Sequence, residues 1–358
     1  MTDDLRALLQ HFVGLGSIAG AVALVAHGDD VEVAVAGATE LGGPVPMARD
    51  SIFRIASITK PVLAATAMLL IEDGRIGYDD PIARWLPELA GPSVVRTPDG
   101  PVDDLVPARR PITVEDLLTF RAGWGFADDF TWPAVGALFA RGIQQPVNPQ
   151  RMRPPEQWLK DLAEVPLVGQ PGERWLYNTC SDILGVLLAR AADMPLPELM
   201  AERIFEPLGM SDTGFAVPQD KLDRFTALYS QGDDGLRLID PPAGEWSSVP
   251  AFPSGAGGLV STVDDYHAFV STLLPGASGP LSPESVRRMT TDHLTAAQRE
   301  AGRLFLQGQG WGFGGPSTSR SWSRGTSRAA TDGSVAPARP RMSSPRPARS
   351  RSCCRRRR

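Results

Sequence analysis

Two short apolar runs near the start of the chain have the composition of paired β-strands. Residues 21–26 and 31–36 flank the segment 27–30, His-Gly-Asp-Asp, which is typical of a tight turn. The pattern therefore predicts a β-hairpin. Apolar positions in residues 5–13 recur with the helical period, and they predict a short amphipathic helix before the hairpin.

The run from Val62 to Ile71 is apolar on almost every side. Such a helix has no polar face to turn toward water, so we expect it to be buried all round. Pro61 is tolerated in the first turn of a helix, where its missing N–H costs no hydrogen bond. The helix is therefore predicted to begin near Ser57, and Gly74 is predicted to end it.

Helical patterns broken by proline-containing loops fill the region from about 78 to 250. Thr113 and Asp116 have the spacing of a capping box, with Asp in place of Glu, at the start of a predicted helix within 112–120. Apolar periodicity predicts further helices at 181–192 and 263–274. Residues 316–358 are rich in Ser, Arg, Pro and Ala, and they lack the large apolar residues that would offset the entropy of ordering. We therefore expect this tail to be disordered.

Composition excludes several classes of protein. Of 358 residues, 42% are hydrophobic and 22% charged, which is an ordinary globular balance. From Arg320 onward there are 12 arginines and one acid; the rest of the chain has 24 basic and 40 acidic residues, a net charge of −16. An acidic body argues against nucleic acid as a partner. Three cysteines and four scattered histidines give no disulfide framework or metal site.

The N-terminal segment lacks the basic region of a signal peptide. Its apolar stretch, 18–26, is too short to span a bilayer. We therefore expect a soluble, cytoplasmic protein with no membrane partner. The oligomeric state does not follow from the sequence.

Ser57 and Lys60 form a Ser-x-x-Lys pair at the predicted helix start. Residues three apart share one helix face, so the amine can reach the hydroxyl. A serine hydroxyl is a weak nucleophile that needs an adjacent base. Only three lysines occur among 36 basic residues, and Arg could not serve as a neutral base. The pair is predicted to be a nucleophile and its base; the structural alternative is a surface Lys beside a capping Ser.

Tyr177 lies between a Pro-Gly turn at 171–172 and the predicted helix at 181–192. A loop before a helix is a place where side chains are presented for chemistry. A phenol beside Lys60 could carry the proton between Ser57 and a leaving group. The alternative is a core Tyr with a satisfied hydroxyl.

Several motifs, taken in order, resemble the class C β-lactamase-related serine hydrolases, a family that includes β-lactamases, penicillin-binding D,D-carboxypeptidases and carboxylesterases. The matching segments are FRIASITK (53–60), EDGRI (72–76), DPIARWLP (80–87), ITVEDLLT (112–119), IFEPLGM (204–210) and GGLVSTVDDY (257–266). The resemblance covers roughly residues 5 to 315. It implies an α/β fold of the α+β type: an antiparallel sheet of N- and C-terminal strands, flanked by helices, with a mostly helical insertion at about 78–250. Residues 1–315 would form this domain.

The resemblance also implies roles for individual residues. Ser57 would be acylated, Lys60 would be its partner and Tyr177 the general base, with no cofactor. Family members often carry Tyr-x-Asn; here Asn178 follows Tyr177 directly and Thr179 holds the Asn position. That arrangement resembles the esterase-like branch and makes efficient β-lactam hydrolysis less favoured.

Aromatic residues between the motifs are candidates for an apolar acyl pocket. Each could instead anchor a loop to the core. The candidates are Trp124, Phe126, Phe130, Trp132 and Trp175, with Asn178 beside them.

The third motif of the family, Lys/His/Trp-x-Gly on a strand beside the site, is expected some tens of residues after 310–314. The Arg-Ser-Pro tail stands there instead. The tail is interpreted as a frameshifted translation, as a basic disordered arm, or as an unrelated extension. A frameshift would remove core strands, and such a chain is expected to fold poorly and to be weakly active.

The sequence therefore predicts a serine hydrolase that forms an acyl-enzyme on Ser57, with a small ester as substrate. Two alternatives stay open. The substrate could be a β-lactam or a D-Ala-D-Ala peptide, or the protein could be a non-catalytic penicillin-recognising module or an inactive truncated product.

Overall fold

A computed structural model describes residues 2–28, 30–145 and 148–317. Helices alternate in it with short antiparallel strand pairs. The α-helices are α1 Thr2–Gly14, α2 Thr59–Glu72, α3 Val114–Leu118, α4 Pro133–Ala140, α5 Pro155–Ala163, α6 Thr179–Ala192, α7 Leu196–Met200, α8 Glu206–Leu208, α9 Val263–Ser271, α10 Pro283–Thr290, α11 Ala296–Ala301 and α12 Arg303–Leu306. The strands are β1 Gly20–His27, β2 Asp30–Gly37, β3 Phe53–Arg54, β4 Ser93–Val95, β5 Leu105–Pro107, β6 Leu228–Gly232, β7 Gly235–Asp240, β8 Val260–Ser261, β9 Gly310–Trp311 and β10 Pro316–Ser317.

The predicted N-terminal hairpin is confirmed. β1 and β2 pair antiparallel, from Gly20 opposite Gly37 to His27 opposite Asp30. The helix predicted before them, α1, is longer than expected at both ends. Acidic residues in its first turn, Asp3 and Asp4, favour the positive end of the helix dipole and extend the helix toward the N-terminus.

The all-apolar run forms α2, and the burial predicted for it is confirmed. Every residue of α2 from Thr59 to Leu70 is buried except Pro61, which occupies the first turn. A 3₁₀ turn over Ala56–Ile58 precedes the helix, so Ser57 lies just before α2 rather than within it. Gly74, with φ of 70°, follows the end of the helix as predicted.

The capping box is confirmed: Thr113 accepts the N–H of Asp116, and the Asp116 carboxylate accepts the N–H of Thr113. The helix predicted at 181–192 is α6. The helix predicted at 263–274 is α9, and it ends three residues early, at Ser271. Pro275 contributes to the difference, because a proline disfavours helical conformation in the residue before it, here Leu274.

One large hydrophobic core joins α2, α3 and α6 to the segment 310–315. Gly314 lies directly against α2, where a Cβ would be 2.6 Å from that of Ala64 and 2.7 Å from the carbonyl oxygen of Lys60. The segment therefore closes the core over the first turns of the helix that carries Lys60.

The antiparallel strand pairs flanked by helices agree with the predicted α+β class. Within the described ranges, β1 and β2 form a two-stranded sheet. The C-terminal strands implied by the family resemblance, the third motif and the tail from 318 onward lie outside the described residues. Pro316 and Ser317, which were assigned to the disordered tail, pair with β9 instead, because their backbone groups find partners at 310–311.

A buried ion pair fixes the strand that leads to Ser57. The guanidinium of Arg54 donates to the carboxylate of Asp240, and both side chains are almost fully buried, with exposures of 6% and 5%. Arg54 also lies 4.1 Å from the centroid of the Phe225 ring. Burial lowers the pKa of Arg54 despite the carboxylate beside it.

We expect Asp240→Ala to lower the free energy of unfolding by about 3–5 kcal/mol, because it leaves a buried guanidinium without its partner. Urea unfolding monitored by circular dichroism measures the change. The control is Asp264→Ala, which breaks an exposed pair with Arg49 (exposures of 43% and 53%). Its expected cost is below about 1 kcal/mol; equal costs for the two variants would contradict the prediction.

Candidate functional site

Ser57 and Lys60 are brought together as their spacing predicts. The Lys60 Nζ donates to the Ser57 Oγ over 2.9 Å and to the carbonyl oxygen of Ala256 over 2.5 Å. The Lys60 side chain is 1% exposed, whereas Ser57 is half-buried. Ala56, just before Ser57, has φ of 45°, a left-handed conformation that costs a non-glycine residue about 1–2 kcal/mol. The turn thus presents the hydroxyl at the surface and keeps the amine inside.

Tyr177 lies against the amine. The Lys60 Nζ is 4.6 Å from the centroid of the Tyr177 ring. Tyr177 is held by reciprocal backbone hydrogen bonds with Phe126. Within the described residues no hydrogen bond joins the Tyr177 hydroxyl to Ser57 or Lys60, so it is the ring that contacts the amine. The geometry brings the three predicted residues together, and the role of Tyr177 as base stays a prediction.

Asn178 adopts an unusual backbone conformation, with φ of 84° and ψ of −66°. The N–H of Thr179 donates to the carbonyl of Tyr177 across it, which makes a γ-turn. The side-chain amide of Asn178 donates to Gln144 over 2.6 Å, and Gln144 donates in turn to the Thr179 hydroxyl. The structure therefore directs the Asn178 amide to Gln144, and substrate binding by it stays a prediction.

The predicted pocket aromatics separate into two sets. Trp124 and Trp175 are each 1% exposed, and the Trp124 indole donates to the carbonyl of Val165, so these two side chains lie in the core. Phe126 is also buried, but its ring contacts those of Phe130 and Phe139. Phe130 and Trp132 are only partly buried.

Phe305 of α12 was missed by the sequence analysis. Its ring stacks on Tyr177 with centroids 4.8 Å apart and an interplanar angle of 18°. It also contacts the rings of Phe126 and Phe130. Asp128 holds α12 in place by accepting the N–H of Leu304. The sequence shows that Phe305 is apolar, but no local sequence pattern predicts that α12 packs against Tyr177.

Asp182, in the first turn of α6, was also not assigned to the site. Its carboxylate is fully buried and accepts from the Ser254 hydroxyl over 2.7 Å and from the N–H of Ala256 over 3.1 Å. Ala256 is the residue whose carbonyl binds Lys60. An Asp in the first turn of a helix is common, so the sequence offered no specific signal for it.

The described residues contain neither a metal-ligand cluster nor a membrane-spanning helix. No three His, Cys, Asp or Glu side chains among them lie close enough together to hold a metal ion. Nor does any helix there have the length and apolar composition needed to cross a membrane.

Burial raises the pKa of Asp182 from 3.8 to about 6. The folded protein therefore binds this proton more tightly than the unfolded chain, and the ionised carboxylate opposes folding above about pH 6. This cost falls as the pH drops through 6 and vanishes below about pH 4. We expect Asp182→Asn to raise the free energy of unfolding at pH 7.5 by up to about 3 kcal/mol and to leave it unchanged near pH 4.

Urea unfolding at the two pH values measures this effect. Asp212→Asn is the control of opposite sign, because the Arg224 guanidinium lowers the pKa of Asp212 to about 2. That substitution should destabilise the protein at pH 7.5. An Asp182→Asn variant that is no more stable than the wild type at pH 7.5 would contradict the prediction.

Proteins of known sequence or structure are similar to this chain over most of its length. Protein Rv1367c of Mycobacterium tuberculosis is 39% identical over 326 residues, covering 87% of this chain and 78% of that protein. Esterase EstB of Burkholderia gladioli is 30% identical over 318 residues, covering 83% of this chain and 74% of that protein. Among solved structures, EstCE1, described as a hydrolase with promiscuous acyltransferase activity, has a TM-score of 0.73 at 28% identity, covering 88% of this chain and 82% of that one.

The model of the beta-lactamase family matches residues 5–340, which is most of the chain. The matched range spans the Ser-x-x-Lys pair and the six segments, from 53–60 to 257–266, that carry the resemblance. The chain therefore belongs to the beta-lactamase family, within the serine hydrolases related to class C β-lactamases, and has the β-lactamase/transpeptidase-like fold.

Proposed function

We propose that this chain is a serine carboxylesterase that hydrolyses small esters with an apolar acyl group through an acyl-enzyme on Ser57. The observation that carries the proposal is the 2.9 Å contact between the Lys60 Nζ and the Ser57 Oγ. A serine whose hydroxyl meets a buried amine at this distance has an adjacent base, which a nucleophilic serine requires.

In the first step, the Ser57 Oγ attacks the ester carbonyl carbon and its proton passes to the Lys60–Tyr177 pair. The backbone N–H of Ser57 makes no backbone hydrogen bond within the described residues, and it is available to the oxyanion that forms. When the C–O bond of the ester breaks, the same pair returns the proton to the leaving alcohol.

In the second step, water attacks the acyl carbon. Its proton passes to the Lys60–Tyr177 pair, the bond between Ser57 and the acyl group breaks, and the serine oxygen regains a proton. The products are a carboxylic acid and the free enzyme. The direct hydrogen bond between the Lys60 amine and the Ser57 hydroxyl supports the amine as the first proton acceptor. The Tyr177 ring faces the amine in this conformation, so its hydroxyl joins the proton path only after it turns toward Ser57 or Lys60.

Two observations favour an ester over a β-lactam or a D-Ala-D-Ala peptide. The Asn178 amide donates to Gln144, and Thr179 at the neighbouring position carries a buried hydroxyl that accepts from Gln144, so neither side chain offers a free amide to a substrate. The rings of Phe126, Phe130 and Phe305 beside Tyr177 make an apolar wall that suits an acyl chain.

Lys60→Arg and Ser57→Ala are each expected to lower kcat/KM for p-nitrophenyl butyrate by about 100-fold or more, because a guanidinium cannot act as a neutral base and alanine has no nucleophilic hydroxyl. A fluorophosphonate probe should label the wild-type chain at Ser57. The matched control, Ser248→Ala, removes an exposed hydroxyl and should leave turnover and labelling unchanged.

The same assay with nitrocefin separates the substrate classes. We expect a kcat/KM at least about tenfold below that for the ester. Faster turnover of nitrocefin would establish the β-lactamase alternative. A wild-type chain that is neither labelled nor active would establish the non-catalytic alternative.

We expect Phe305→Ala to lower kcat/KM for p-nitrophenyl butyrate and octanoate by about tenfold, while kcat/KM for the acetate changes by less than about threefold. The reason is the apolar contact area that the longer acyl chains lose. Leu304→Ala, which truncates an exposed neighbour on α12, is the control. An equal loss on all three esters would assign Phe305 a structural role instead.

A further inference from the structure

A buried carboxylate next to the site has no part in the mechanism above. Asp182 lies inside the protein, at the start of α6, and its Oδ1 accepts two hydrogen bonds. An ionised group in such a place is costly unless it is paired and hydrogen-bonded. The hydrogen bonds of Asp182 indicate what a buried carboxylate does at this position.

The loop 254–258, Ser-Gly-Ala-Gly-Gly, connects Asp182 to Lys60. The N–H of Ala256 donates to Asp182, and the carbonyl of the same residue accepts from the Lys60 Nζ. Gly255 lets the loop lie this close, because a Cβ there would be 2.6 Å from the Leu63 side chain and 2.6 Å from the Ser181 carbonyl. The carboxylate thus sets the position of the oxygen that holds the amine.

The electrostatics of Lys60 and Asp182 also connect the two residues. Lys60 is buried, and no ion pair is formed by it or by Asp182 within the described residues. Each is therefore an unpaired buried ionisable group, separated from the other by the backbone of Ala256. In a poorly solvated interior, opposite charges at such a separation still attract appreciably.

We propose that Asp182 is a positioning residue for Lys60. It fixes the Ala256 carbonyl on the amine and supplies the buried negative charge that stabilises the proton which Lys60 takes from the Ser57 Oγ. Asp182 stays ionised throughout, and neither gains nor loses a proton in the step. The proposal deepens the proposed acyl-enzyme function and rests on it for its catalytic part.

Among the charged groups around Asp182, Lys60 is the one that its carboxylate can influence. Tyr177 contacts Lys60 rather than Asp182. The loop 254–258 contains no titratable residue. The remaining charged groups on the helices that pack against α6 are otherwise engaged or solvated: Glu72 of α2 accepts from Ser282 and Ser285, Asp116 of α3 is paired with Arg110, Glu115 of α3 lies near Arg121, and Glu198 of α7 is exposed.

Asp182→Asn separates charge from position, because an amide oxygen can still accept from Ser254 and Ala256. For p-nitrophenyl butyrate at pH 7.5 we expect kcat to fall about tenfold with KM within about twofold. Asp182→Ala, which also removes the hydrogen bonds, should lose about 100-fold. The rate at which a fluorophosphonate labels Ser57 should fall in the same ratios.

Asp265→Asn is the matched control. Asp265 is also buried in the first turn of a helix, and it accepts a backbone N–H from Asp212 and a hydroxyl from Thr213, but it contacts neither Ser57 nor Lys60. Its kcat should stay within about twofold of the wild type. Thermal unfolding of all variants at pH 7.5 shows which of them are folded.

A second readout does not need activity. The chain has three lysines, so lysine labelled with ¹³C at Cε gives three NMR signals, which lysine-to-arginine variants assign. The Lys60 signal should move in both Asp182 variants, while those of Lys160 and Lys221 stay in place. An unmoved Lys60 signal, or a kcat of Asp182→Asn equal to that of the wild type, overturns the proposal. A wild-type chain that is neither active nor labelled refutes the acyl-enzyme function alone, and the NMR signals still decide whether Asp182 positions Lys60.

Discussion

Burial of the Lys60 amine is the constraint on which the site depends. α2 has no polar face, and the core encloses all of its residues from Thr59 to Leu70 except Pro61. The amine enters the core with the helix, where an unsatisfied polar group costs several kcal/mol. The hydroxyl of Ser57 and the carbonyl of Ala256 satisfy it, and the ring of Tyr177 lies against it. The need to satisfy one buried group thus gathers segments that are distant in sequence.

Backbone strain is concentrated around the same point. Ala56 precedes the nucleophile and Asn178 follows Tyr177, and both have positive φ values. Phe120, whose ring contacts Tyr177, has one too. Each such residue costs of order 1–3 kcal/mol and persists because packing around it fixes its conformation. Here the packing comes from α2, α6 and the aromatic rings, so the stability of the core maintains the presentation of Ser57 and Tyr177.

Asp182 makes the relation between stability and function explicit. Its ionised carboxylate opposes folding near neutral pH, since burial raises its pKa to about 6. The buried Arg54–Asp240 pair differs from Asp182, because each of its charges is compensated by the other. The pair also fixes the strand before Ser57. In the proposed mechanism, the buried Asp182 lowers the stability of the fold near neutral pH and in return positions and stabilises the buried base, Lys60.

The features that could be predicted from the sequence are those that depend on local interactions. The hairpin, the buried α2 helix, the Thr113 capping box and the spacing of Ser57 and Lys60 follow from interactions within a few residues, and the ordered motifs identified the family. Other features became visible only in the folded chain: Ala256 and Asp182 complete the surroundings of Lys60, Phe305 stacks on Tyr177, and Trp124 and Trp175 lie in the core. These contacts join segments far apart in the chain. Whether an aromatic ring faces a cleft or the core depends on what packs against it, which no local pattern records.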